Sequence, residues 1–234
     1  MLILALDSTA TAASVAICRD DKAIAAFHLN NGNTHSETLL PMVDAALSVA
    51  GISADDIDLF AVSHGPGSFT GVRIGAATVK GLAFNKGKPV IGVSTLEALA
   101  ENAMPAPEGT LIAPVMNARR GQLYNALFRV EGGRALRITP DRAIAATELE
   151  KELLELNLGF FLVGDGVGEM LRLTTQARPL PLSPLATDQN AVSVAKCARR
   201  RYLMGEQGTD AALSPVYLRL PQAERERLER LQKN

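Results

Sequence analysis

The residues best placed for chemistry sit in one run, Gly65-Pro66-Gly67-Ser68-Phe69-Thr70-Gly71-Val72-Arg73-Ile74-Gly75. It follows an apolar, strand-like stretch at 57–62 and opens a helical stretch from about Thr70 to Asn85. Glycines around a proline permit positive φ and let backbone come close to whatever docks there. Ser68 or Thr70 can accept the first free helix amides. Such a corner presents N–H groups and the positive end of a helix dipole, which suits an anion. The glycine spacing 65, 67, 71, 75 is not the dinucleotide fingerprint, and no Gly-Lys-Ser/Thr follows as in an ATP-binding P-loop. On residues alone, a structural turn outweighs a phosphate site.

The other reactive side chains are scattered. Asp7-Ser8-Thr9 ends the first apolar run and reads as an Asx or Ser/Thr turn between hairpin strands. His28, His35 and His64 are the only histidines, and no two have the i,i+4 spacing of a helical metal site. Ser63 and His64 are neighbours on a strand end, so they face opposite ways and form no nucleophile–base pair. Cys18 and Cys197 lie far apart with no CxxC; one bridge is open to them, and two buried reduced thiols are the favoured state. Arg119-Arg120 could hold a phosphate or pair with a carboxylate, though exposed hairpin arginines usually do neither tightly. Gly71, Gly75, Thr78 and Leu82 follow i, i+4, i+7, i+11, a stripe where a second backbone can approach. That backbone belongs equally well to the protein's own sheet or to a partner. Leu39, Val43, Ala46 and Leu47 on the preceding helix could share the surface.

The elements that must position these residues show a repeat. Residues 2–7, 13–18 and 23–29 read as three strands, and Thr34 to Ala50 as a helix with a Thr34/Glu37 capping box and Gly51 at its end. Strand 57–62, the glycine corner and its helix, strand 89–93 and a short helix from Thr95 complete the first unit. After Met104-Pro105-Ala106-Pro107, a hinge, the order restarts with strands at 111–116, 122–130 and 136–138. A helix at 147–156 with a Thr147/Glu150 capping box, strand 160–163, Gly164-Asp165-Gly166 and a helix at 167–173 follow. The run from Pro179 to Pro184 must be loop, and 190–204 is a last helix ending at Gly205. The reading is α/β, with duplicated β-β-β-α-β-α units. Residues 1–104 form a first lobe and 105–220 a second, with the last helix and Leu213–Leu220 free to return against the first. The tail, 221–234, is charged, and Glu226/Arg230 with Leu228 and Leu231 suggests a frayed, solvated helix. A weaker reading puts its basic side chains near RNA.

The chain has 234 residues, 47% apolar and 21% charged, and a net charge of −1, so charge alone does not make it a polyanion binder. No uncharged apolar run nears the roughly 20 residues a membrane helix needs. Asp7 inside the first apolar run argues against a signal peptide.

GPGSFTGVRIG, preceded by LALDST, resembles the bacterial TsaB (YeaZ) family. The similarity continues through HSETLLP (35–41), GVSTLEALA (92–100), NARRGQLY (117–124), GDG (164–166) and SPVYLR (214–219). It implies the actin-like ATPase, or ASKHA (ribonuclease H-like), fold in two lobes with nucleotide in the cleft between halves. In that fold Asp7 stands where enzymes keep a carboxylate near magnesium-bound phosphates. Asn117 holds the matching turn, where related proteins usually have Asp, and the lost charge weakens the case for Mg²⁺–ATP. The resemblance thus implies at most a vestigial nucleotide site at Asp7, Ser8, Thr9, Gly65, Gly67, Asn117, Gly164 and Gly166, with ATP or ADP held weakly or at a complex interface. Catalytic TsaD relatives carry His-x-x-x-His where this chain has Thr95 and Leu99, so no catalytic residue and no metal are expected. The implied role is a cytoplasmic, non-catalytic subunit holding a TsaD-type enzyme, with a TsaE-type ATPase, during threonylcarbamoyl transfer to a tRNA adenosine beside the anticodon. The implied contact uses helices 34–50 and 70–85, so Gly75→Trp should block binding without unfolding the chain; if the stripe packs on its own sheet instead, the same change should unfold it. A homodimer through those helices is implied when the partner is absent. The alternative is a stand-alone ATPase or small-molecule kinase using Asp7, the glycine corner and Gly164-Asp165-Gly166.

Overall fold

The computed structural model describes residues 1–183 and 186–219; the expected tail at 221–234 lies outside them. Two sheets with flanking helices repeat one plan. In the first half β1 (Leu2–Asp7), β2 (Ala13–Arg19) and β3 (Lys22–Leu29) form an antiparallel meander. β4 (Leu59–Ser63) and β5 (Val90–Val93) add in parallel on the other side, giving the order β3-β2-β1-β4-β5. β1 and β4 are apolar along nearly their whole length because both faces are covered. One face packs on α1 (His35–Ala50) and α2 (Phe69–Ala83) through Leu4, Leu6, Phe60 and Val62. The other packs on α6 (Ala191–Leu203) through Ile3, Ala5, Leu59 and Ala61.

The second half centres on β6 (Leu111–Asn117). The expected single strand at 122–130 is split into β7 (Gln122–Asn125) and β8 (Phe128–Glu131), which pair with β6 in one register: Val115 opposite Asn125 and Leu111 opposite Arg129. Pro114 lies opposite the gap. It has no N–H to donate, and its carbonyl instead accepts from the Asn125 side chain at 2.9 Å. The next strand is broken to match, into β9 (Arg134–Arg137) and β10 (Arg142–Ala145). β11 (Phe160–Val163) runs parallel on the far edge of β6. α4 (Ala146–Leu156) and α5 (Val167–Leu173) cover one face around Leu149, Leu153 and Met170.

The other face of this second sheet is covered by α3 (Thr95–Asn102), a helix of the first half. Leu96, Leu99 and Ala100 pack among Ile112, Met116, Phe128 and Val163. Burial of each leucine contributes about 1.5–3 kcal/mol, so this is a true core between the halves. Ser94, the N-cap of α3, accepts from Glu97 N and donates to Asp141 Oδ2 at 2.6 Å, a polar tie across the same junction.

α6 lies on the first sheet and Leu213 enters the first core, the return across the boundary that the sequence left open. Two expectations change. Thr147 lies inside α4 rather than capping it, because β10 runs straight into the helix at Ala145; Glu150 accepts instead from Gln176 N and Ala177 N. Thr34 does precede α1, but its side chain makes no cap, and Glu37 N bonds the Thr34 carbonyl. Gly51 closes α1 at φ 64 as expected. Cys18 and Cys197 are free and buried in the core under α6. Among the described residues no helix is long and apolar enough to cross a membrane.

Candidate functional site

The first-half corner is closed. Asp7 is fully buried at the end of β1, and its carboxylate accepts from Ser63 Oγ at 2.5 Å, Thr9 Oγ1 at 2.7 Å and Thr9 N at 2.9 Å. Burial raises its pKa, and the Ser63 and Thr9 donors and the nearby His35 pull it back. Ser8 Oγ donates to the Gly71 carbonyl at 2.9 Å, Ser68 N donates to the Thr9 carbonyl at 2.7 Å, and His35 Nε2 sits 2.6 Å from the Ala10 carbonyl. A Cβ at Gly67 or Gly71 would strike the carbonyls of Thr9 or Ser8, one at Gly65 would strike Val216, and one at Gly75 would lie 2.6 Å from Ser8 Oγ. The glycines are needed because the 7–10 turn is pressed onto α2. Two of the donors an anion would use are already taken: Ser68 N by the Thr9 carbonyl and Gly71 N by Ser68 Oγ. A magnesium nucleotide does not fit this corner: its carboxylate has no free face, and protein fills the glycine contacts.

The second-half corner is open. Asn117 is exposed, and among the described residues its side chain accepts only from Arg119 N, at 2.8 Å. Gly164 (φ 114) and Gly166 close onto Val115 and Met116 much as Gly67 and Gly71 close onto Ser8 and Thr9. Between them Asp165 reaches into the cleft. Its side chain meets solvent, yet protein crowds it closely enough to push its carboxyl up to about 6. Arg119 and Arg120 follow at φ 64 and 56, both exposed.

These two corners face each other across a cleft of about 570 Å³. Its walls include Thr9, Phe69, Arg119, Tyr124, Asp165 and Tyr217. Residues 213–219 cross it as a strap. Val216 N donates to the His64 carbonyl at 2.8 Å, and the Tyr217 ring lies 4.7 Å from that of Phe69. Arg73 stacks 3.8 Å over Phe69 and donates to Tyr217 Oη at 2.9 Å. From the other side Arg219 Nη1 donates to the Ala118 carbonyl at 2.5 Å. Phe69, Arg73, Tyr217 and Arg219 were not singled out from the sequence. Their one signal was membership in the GPGSFTGVRIG and SPVYLR runs.

The remaining candidates do not form a reaction centre. Thr95 and Leu99 are buried in the core between the halves, with Thr95 Oγ1 unpartnered. His28 faces Asp188 at 3.2 Å, and His64 is pushed below its usual pKa by burial and then by Arg201. Among the described residues no three His, Cys, Asp or Glu gather closely enough to hold a metal.

The expected interface set is largely inward. Leu39, Val43 and Ala46 are buried in the first core with Leu47 packed against them, and Gly71 and Gly75 press on Ser8. Thr78 and Leu82 are half-buried. The helical spacing was right and the facing wrong, because the 7–10 turn occupies the small stripe. The outward face of α2 is Arg73, Ala77, Gly81 and, just beyond the helix, Phe84; a Cβ at Gly81 would meet nothing. On α1 the exposed residues include Leu40, Asp44 and Val49.

Residues 30–158 match the family model described as TsaD: tRNA N6-adenosine threonylcarbamoyltransferase. The chain is 30% identical over 239 residues to the tRNA threonylcarbamoyladenosine biosynthesis protein TsaB of Bacillus subtilis, covering 96% of each. It is 41% identical over 129 residues to TsaB of Escherichia coli, covering 55% of each. A solved Pseudomonas aeruginosa structure, described as similar to peptidase YeaZ, superposes with TM-score 0.80 at 29% identity over 93% of this chain and 99% of that one.

Proposed function

The chain belongs to the TsaB family, and we propose on that premise that it acts in tRNA threonylcarbamoyladenosine biosynthesis as a non-catalytic subunit holding a TsaD-type transferase. One observation carries the non-catalytic reading: the first-half carboxylate and the positions where catalytic relatives carry histidines are taken up by packing. The Asp7 carboxylate accepts from Ser63 and from Thr9 twice, and Leu99 is 1% exposed in the core between the halves. A fully buried carboxylate with three of its roughly four acceptor sites filled by neighbouring donors shows no open face to a metal holding a phosphate. The same geometry disfavours the stand-alone kinase.

The partner contact we propose lies on the outer faces of α1 and α2. Phe84 and Val49 are 74% and 77% exposed there, and Ala77 with Gly81 leaves room for an opposing helix. An interface of ordinary size buries roughly 1,600 Å², with most of its energy in a few central contacts. In this reading ATP or ADP binds weakly or at the junction with the partner, a TsaE-type ATPase joins the complex, and a homodimer through the same face forms when the partner is absent. Gly81→Trp tests the surface. Its side chain enters open space, so melting should stay within about 0.5 kcal/mol of wild type, while size-exclusion with a TsaD-type subunit should show no complex. A folded variant that binds normally refutes the surface.

A further inference from the structure

Arg119 and Arg120 stand apart from the arginines that the fold ties to carboxylates. Arg137 pairs with Asp141, Arg142 with Glu152, Arg172 with Glu169, and Arg201 with Glu206. Arg119 and Arg120 are exposed and have no carboxylate or ring partner among the described residues. They occupy successive left-handed positions, φ 64 and 56, in a hairpin turn that favours Asn-Gly. Arg219 joins them by gripping the Ala118 carbonyl. Across the cleft mouth stand Phe69 and the 37%-exposed Tyr217, their rings 4.7 Å apart. Asp165 is the one acidic residue lining the cleft.

Guanidinium groups beside open aromatic faces are the chemistry by which proteins hold unpaired RNA: cations take backbone phosphates, and rings take splayed bases. We propose that this cleft mouth is an RNA contact, with the Arg119–Arg120 turn on consecutive phosphates and Tyr217, backed by Phe69 and Arg73, stacking an unpaired base. This rests on the tRNA-modification reading above. A strand fits better than a single nucleotide. At the first-half corner Ser68 N and Gly71 N are already bonded, and Asp165 repels anions from the cleft interior. The positive charge instead runs outward from the rim, since Arg119 lines the cleft and Arg120 follows it outside. The chain's net charge of −1 means the contact adds to binding within a complex rather than recruiting RNA alone.

The test uses the complex of the full chain with a TsaD-type subunit and a fluorescent tRNA anticodon stem-loop titrated at several salt concentrations. Arg119→Asn with Arg120→Gly removes both cations and suits the left-handed turn, so melting should not fall. Affinity should drop about tenfold, and the slope of log K against log salt should lessen by roughly 1.5, the share of two phosphate contacts. Tyr217→Leu should weaken binding about fivefold with the slope unchanged, as loss of stacking does. Unchanged affinity and slope in an intact complex overturn the proposal and leave the subunit reading standing. Stem-loop displacement by ADP, with the same dependence on the two arginines, overturns it in favour of a mononucleotide site. A wild-type chain that forms no complex overturns the reading and this inference together.

Discussion

The two halves carry the same corner in opposite states. In the first, Asp7 is fully buried and accepts from Ser63 and Thr9, and Ser8 is tied to Gly71. In the second, Asn117 is exposed, Asp165 faces the cleft, and Arg119 and Arg120 have no carboxylate partner among the described residues. Both use glycines to bring a strand–helix turn against the central strand. Duplication therefore preserved the backbone solution and let the side chains diverge: one corner became core, the other surface. A fold built for a site need not keep one, because its glycines serve packing equally well.

The sharpest break of this comparison is steric. Gly75→Trp, harmless to folding only if the stripe faced a partner, should leave no folded protein, since even a Cβ there lies 2.6 Å from Ser8 Oγ and 3.2 Å from Val62 Cγ2. Soluble expression and circular dichroism read the outcome, and a cooperative melt near wild type would show the corner to be looser than described. Next in size is the contrast between the two polar positions. Asp7→Ala strands buried donors of Ser63 and Thr9 and should cost about 2–4 kcal/mol, whereas Asn117→Ala loses one exposed turn bond and should cost under about 1 kcal/mol. Urea denaturation of both variants checks the ratio, and equal costs would erase the distinction.

The smallest effect is a pH dependence. Asp165 holds its proton up to about pH 6 in the folded state against an ordinary 3.8. The unfolded chain releases the proton first, so this group makes stability fall as pH rises from about 4 to 6, with the full deficit above that. Asp165→Asn should flatten the melting temperature across that window and raise it at pH 7 relative to wild type. An identical pH profile in the variant would mean the cleft does not desolvate the carboxyl.

Much of this was legible beforehand. Residues 2–7 and 13–18, the helix closing at Gly51 and the corner at 65–71 announced themselves because alternation, 3.6-residue spacing and glycine φ preferences are local. The split at β7/β8 was harder. Pro114 was visible, but that it lies opposite Ala126, in the gap between β7 and β8, follows only from strand register. Thr147/Glu150 misled for a related reason: a capping box assumes the helix starts there, and strand pairing at Ala145 set the start.

By itself, then, the sequence determined the order of elements, the duplication, the family and the absence of metal-ligand spacing, all of which follow from residue type and short-range spacing. Only the tertiary structure decided which way each face points. Gly71 and Gly75 turned inward because the 7–10 turn, some sixty residues earlier, lies on them. α6 crossed back because the first sheet had a second apolar face to cover. The cleft gathers Phe69, Arg119, Asp165 and Tyr217 from four distant segments. Their meeting depends on long-range packing energy, which no local pattern encodes.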